Sequence, residues 1–112
     1  MLSRAGLSVL LAAALCAPAV AQSGRPPALT PAFLVGRWGD GGDCTRPVVF
    51  LADGTFRTAE GGQGNWSLRG NRLTMSGNRG ITVLRVTVLG GGRLAIVNPD
   101  GTRGTSQRCP AR

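Results

Sequence analysis

Trp66-Ser67-Leu68-Arg69-Gly70-Asn71-Arg72-Leu73-Thr74-Met75 is the stretch that decides the fold. Apolar and polar residues alternate on either side of Gly70-Asn71, which is the period of a half-buried strand. A two-residue turn at Gly70-Asn71 sets Leu68 opposite Leu73 and Trp66 opposite Met75 on one face, with Ser67, Arg69, Arg72 and Thr74 on the other. One face is core and the other is wet.

The flanking sequence repeats this punctuation. Asp53-Gly54 separates Val48-Val49-Phe50-Leu51 from Thr55-Phe56-Arg57-Thr58, and a three-residue loop 52–54 with glycine in the left-handed region pairs Phe50 with Phe56. Asn98-Pro99-Asp100-Gly101 has the same chemistry, with proline where its fixed dihedral suits a type I turn. The run Ile81 to Leu89 is β-branched on both faces, and Arg85 orients it with Leu84, Val86 and Val88 inward. Only Pro31 to Val35 offers a helical turn in the exported part. About eight short strands follow, at 34–39, 46–51, 55–59, 64–69, 72–76, 80–89, 93–98 and 102–108. Their regular spacing predicts an all-β, small antiparallel up-and-down barrel, closed so that no sheet edge is left exposed. Gly36-x-Trp38 resembles Gly64-x-Trp66, but the intervals to the next Asp-Gly-Thr differ, so this is recurring turn chemistry and no internal repeat.

Residues 1–21 read as a signal peptide: Arg4, the apolar run Leu7 to Leu15, then Ala19-Val20-Ala21 as the cleavage site. The apolar run is about half the length of a membrane span before Pro18 interrupts it, so the chain is not expected to span a membrane. Leu15 stands where lipidation of Cys16 would need a small residue. Cleavage after Ala21 leaves a periplasmic or secreted chain with a lead-in over 22–32 and a barrel domain over 33–112. It also leaves two of the three cysteines, Cys44 and Cys109, which an oxidising compartment would join. A domain of this size is marginal without a staple, and closing that loop is worth about 4 kcal/mol in the chain-entropy model. A strict up-and-down order conflicts with the pair, because Cys44 and Cys109 then fall at opposite ends of the barrel. Either the first segment is no full strand, or the stretch Gly39 to Asp43 folds down the wall, or the strand count is off by one.

Composition bounds the function. All thirteen basic residues are arginine against five acids, a net charge of +8 that becomes +7 without Arg4. On an exported protein such a surface meets anionic envelope components before nucleic acid, and a solvated, solubilising face accounts for it without a dedicated anion site. The five aromatics are Phe33, Trp38, Phe50, Phe56 and Trp66, and most fall on core faces, where they form no stacking platform. Histidine, lysine and tyrosine are missing, so the usual general bases and amine nucleophiles are missing too; no enzyme and no cofactor is expected. Asp40, Asp43, Asp53 and Asp100 lie in or beside glycine turns, where turn formation explains them. Asp40-Gly41-Gly42-Asp43 lacks the graded spacing of a calcium loop, and no metal site is expected.

The opening Leu34-Val35-Gly36-Arg37-Trp38, followed by a meander with Asp-Gly turns, resembles the lipocalin-like small β-barrels, including short exported bacterial forms of mostly unassigned role. The resemblance covers residues 33 to 109. It implies that Trp38 packs near the closed end of the barrel beneath an arginine from a late strand, for which Arg103 and Arg108 are the candidates. The chain is shorter than a full lipocalin, and short strands leave an interior that side chains can fill. Gly-x-Trp barrels with a disulfide also occur among exported inhibitors of secreted metalloproteases, a resemblance that implies the alternative function of a protease inhibitor acting through the lead-in Ser23 to Pro31. The expectation is a monomeric binding barrel whose partner is a small apolar or anionic envelope molecule or an exported protein. Trp38, Phe50, Phe56, Trp66, Leu68, Leu73 and Met75 would either line its pocket or form its core.

Overall fold

A computed structural model describes residues 25–111 of the chain. The signal-peptide reading, with Cys16 and the cleavage site, lies outside the described residues.

Among the described residues one helical turn precedes the sheet. In α1 (Pro31–Leu34) proline occupies the first turn, and the Thr30 hydroxyl accepts a 3.1 Å hydrogen bond from the Phe33 N–H. Eight strands follow: β1 (Gly36–Asp40), β2 (Val48–Phe50), β3 (Thr55–Arg57), β4 (Gln63–Arg69), β5 (Arg72–Gly77), β6 (Gly80–Gly90), β7 (Arg93–Val97) and β8 (Arg103–Arg108). Each pairs antiparallel with the next and β8 pairs with β1, which closes the barrel. The strand β1 starts two residues later than position 34 because α1 takes up Leu34. Positions 46 and 47 stay outside β2, where Pro47 has no N–H to give a ladder.

The expected registers are present. Leu68 faces Leu73 and Trp66 faces Met75 across the Gly70-Asn71 turn, and Phe50 faces Phe56. The two Asp-Gly turns are built alike. The Leu51 N–H bonds the Thr55 carbonyl and the Asn98 N–H bonds the Thr102 carbonyl, both at 2.8 Å. Gly54 and Gly101 both have φ of 89°, a conformation that a side chain would strain.

Period-two alternation turns the apolar side chains inward. Leu34, Trp38, Phe50, Phe56, Leu73, Val86 and Leu94 form the buried cluster. Trp66, Leu68, Met75, Leu84 and Val88 pack against it while keeping part of their surface in solvent. Leu29, from the segment ahead of α1, also packs on this cluster.

Cys44 and Cys109 are bridged, with Cα atoms 5.7 Å apart. Of the three ways to reconcile this pair with an up-and-down barrel, the chain uses the second. Trp38 points inward on β1, so Gly39 faces out, and the loop after Asp40 folds back over it. The Gly42 N–H bonds the Gly39 carbonyl at 3.1 Å and the Asp43 N–H bonds the Asp40 carbonyl at 3.1 Å. That fold brings Cys44 down the outer wall to Cys109, whose N–H bonds the Arg37 carbonyl at 2.8 Å. The disulfide therefore lies on the β1–β8 seam.

Candidate functional site

The two ends of the barrel differ. At the end where β1 starts, α1 forms a plug. The Trp38 Nε1–H donates to the Leu34 carbonyl at 2.8 Å, and the Phe33 ring lies 5.9 Å from the Trp38 ring. Arg108, directly opposite Trp38 in the β1–β8 ladder, covers both: its guanidinium carbon is 4.4 Å from the Trp38 centroid and 4.9 Å from that of Phe33. The same guanidinium donates to the Val35 carbonyl at 3.2 Å and to the Phe33 carbonyl. One cation thus satisfies the carbonyls at the end of a short helix and sits on two ring faces. Of the two candidate arginines it is Arg108 that occupies this position; Arg103 stands at the far end of β8.

Away from the plug the interior is not filled. A cavity of about 190 Å³ runs from Leu34, Trp38, Phe50 and Leu73 at its base past Met75, Leu84, Leu94 and Ile96. Asp40, Asn98 and Ser106 supply its polar groups, at the end where β1 and β7 stop. Asp40 is exposed and Asn98 and Ser106 are half-buried, so the cavity meets solvent there. The site is an apolar shaft with three polar groups at its mouth.

Of the seven residues the sequence singles out, the cavity gathers Trp38, Phe50, Leu73 and Met75. Phe56 is buried beside a neighbouring pocket of about 150 Å³ that also touches Met75. Trp66 stands edge-on to Phe50, with centroids 5.4 Å apart, and its Nε1–H donates to the Leu51 carbonyl. Leu68 packs on the core away from the cavity. Sequence reasoning missed the polar mouth. The signal was available, because Asp40 follows Trp38 by two, Asn98 follows Ile96 by two and Ser106 precedes Arg108 by two, and residues two apart on a strand share a face.

The remaining carboxylates are engaged in turns. Asp43, Asp53 and Asp100 each accept, on one carboxylate oxygen, the N–H and hydroxyl of the threonine two residues on: Thr45, Thr55 and Thr102. The threonine hydroxyl and N–H hold the Asp43 and Asp53 carboxyls below their ordinary range; for Asp100 the N–H leads and the hydroxyl follows. Glu60 pairs with Arg46, both well exposed. Asp40 points into the mouth while Asp43 is tied to Thr45, so the 40–43 loop does not converge its carboxylates. Among the described residues no three of His, Cys, Asp or Glu come together, and no helix is long and apolar enough to cross a membrane.

Fold and site together define a disulfide-clasped, eight-stranded antiparallel β-barrel, plugged at one end and hollow toward the other. No protein-family model matches the chain, and no curated protein and no solved structure matches it.

Proposed function

We propose that this chain is an exported, non-enzymatic binding barrel that takes a small apolar molecule, or the apolar end of a larger one, into its open end. The cavity carries this reading. Its walls are aliphatic and aromatic, its polar groups stand at the mouth, and at about 190 Å³ it exceeds the roughly 150 Å³ at which an apolar protein cavity accepts a benzene-sized guest. Such a shaft favours a ligand with a hydrocarbon body and a polar group that meets Asp40, Asn98 and Ser106. The leader over residues 1–21 and the Cys44–Cys109 pair support export into an oxidising compartment. The mouth sets one carboxylate beside a serine hydroxyl and an amide, with no histidine in the chain to activate the hydroxyl, which supports binding rather than turnover.

Native mass spectrometry of the protein purified from its exported fraction tests this. The expected result is a reproducible non-covalent adduct on a chain cleaved after Ala21, lost in a Met75→Trp variant whose larger ring occupies the shaft. A bare mass, or an adduct that persists in the variant, would overturn the reading.

A further inference from the structure

The large aliphatic side chains left exposed among the described residues sit on one strand. Ile81 is 72 % exposed, Val83 40 % and Leu89 42 %, and all three leave the outer face of β6, the longest strand. Arg85 lies between them on that face. The opposite face of β6 places Leu84, Val86 and Val88 in or against the core, so the outward positions are fixed by the pleat.

Crossing β6 is a row of arginines. Arg69 faces Arg72 across the β4–β5 pair, and Arg72 faces Arg85 across the β5–β6 pair. Neighbouring strands are about 4.8 Å apart, so three arginines stand side by side in the ladder with like charge opposite like charge, which works against stability. None of the three has a carboxylate partner among the described residues; Arg85 donates to the Asn71 side-chain carbonyl at 3.2 Å. Among the described residues no strand carries an outward carboxylate: Asp40 faces the mouth, and Asp43, Asp53, Glu60 and Asp100 lie in loops, bonded to threonines or to Arg46.

We propose that the outer wall of β4, β5 and β6 docks on an anionic phospholipid bilayer, with Arg69, Arg72 and Arg85 on headgroup phosphates and Ile81 and Val83 entering the headgroup–acyl boundary. Guanidinium groups match phosphate oxygens in a bidentate manner. A ridge of aliphatic side chains flanked by cations is the pattern of a surface that lies on a membrane. The exposed apolar residues are aliphatic, which offers nucleic acid no ring to stack on. A second copy of the chain is the wrong occupant, because packing this wall on itself would bring a second set of unpaired arginines to the first with no outward acid to separate them.

Sedimentation with vesicles tests the proposal, using phosphatidylcholine alone and phosphatidylcholine mixed with phosphatidylglycerol. The wild-type protein should bind the mixed vesicles and not the neutral ones, with binding weakened by salt. Replacing Arg69, Arg72 and Arg85 by glutamine should weaken it about a hundredfold, at roughly fivefold per arginine. Ile81→Ser with Val83→Thr should weaken binding while keeping its salt dependence. Arg57→Gln, on β3, serves as the control that removes one charge elsewhere. Equal binding by the triple variant and the Arg57 control, equal binding to neutral vesicles, or capture of a soluble polyanion or acidic protein without vesicle binding would each overturn the proposal. Melting curves of the variants separate lost binding from lost folding, and none of these substitutions reaches the cavity.

Discussion

Gly39 lies beneath the Asp43 peptide so closely that a Cβ at position 39 would stand 2.6 Å from the Asp43 carbonyl oxygen. The missing side chain is what lets the 41–44 loop lie flat on the outer wall and carry Cys44 to Cys109. Gly39→Ala should therefore lift the loop and leave a fraction of the chains unbridged. Alkylation of free thiols followed by mass measurement reads this directly. Full oxidation of the variant with an unchanged melting temperature would show that the loop has another way down.

Leu73 and Met75 are two residues apart on β5, yet they should respond differently to truncation. Leu73 is buried at the base of the cavity, and Leu73→Ala should cost about 2–5 kcal/mol. Met75 borders space that is already empty, so Met75→Ala should cost about 1 kcal/mol or less and enlarge the shaft. Denaturant titration of the two variants gives both numbers. A loss at Met75 as large as that at Leu73 would mean a filled interior.

Arg108 ties α1 to the barrel through two carbonyls and two ring faces. Arg108→Lys keeps the charge but not the fork that reaches both Val35 and Phe33. The expected loss is about 2 kcal/mol, from one charged hydrogen bond and weaker ring contact, with faster amide exchange confined to residues 30–36. Uniform destabilisation without that local signature would argue against the plug.

The protein has no histidine, so its stability should be flat between about pH 5 and pH 8. Asp43, Asp53 and Asp100 have lowered carboxyl pKa values in the fold. In acid the unfolded chain then binds more protons than the native one, so these turns contribute stability above the ordinary carboxylate value of 3.8 and lose it as pH falls through their folded values. All three are solvent-exposed and each effect is small. Thermal melts of the triple Asp→Asn variant should show a shallower acid limb than wild type and lie below it at neutral pH.

Relieving the arginine row should raise stability. Arg72→Thr removes the middle charge and puts a β-branched residue on an outer strand face, which should raise the melting temperature by about 2 °C. A lower melting temperature would mean that the arginine stems pack on the wall.

The hairpins were legible because each was written twice, once in the alternation of its strands and once in its turn. Trp66-Leu68 against Leu73-Met75, and Phe50 against Phe56, pair on alternation and turn chemistry alone. The path of the disulfide was not legible. It depends on Gly39 being bare where a loop crosses, and a glycine inside a strand pattern does not say from which side its neighbour will come. The cavity was illegible for a related reason: the same apolar residues serve a filled or a hollow interior, and the difference lies in how closely the facing walls approach. Arg108 over Trp38 came from resemblance alone, since spacing could not choose between Arg103 and Arg108.

Seven of the eight strand pairings join neighbours in sequence, and only β1 with β8 joins residues about seventy positions apart. Hairpin contacts of that kind form early and cheaply, whereas the last one must wait for the two outer strands to meet across the whole sheet. The rate-limiting event in folding should then be the curling shut of an already zipped ribbon. Oxidation of Cys44 with Cys109 becomes a latch that holds the ring once shut, and reduction would let the same ring spring open at one known place.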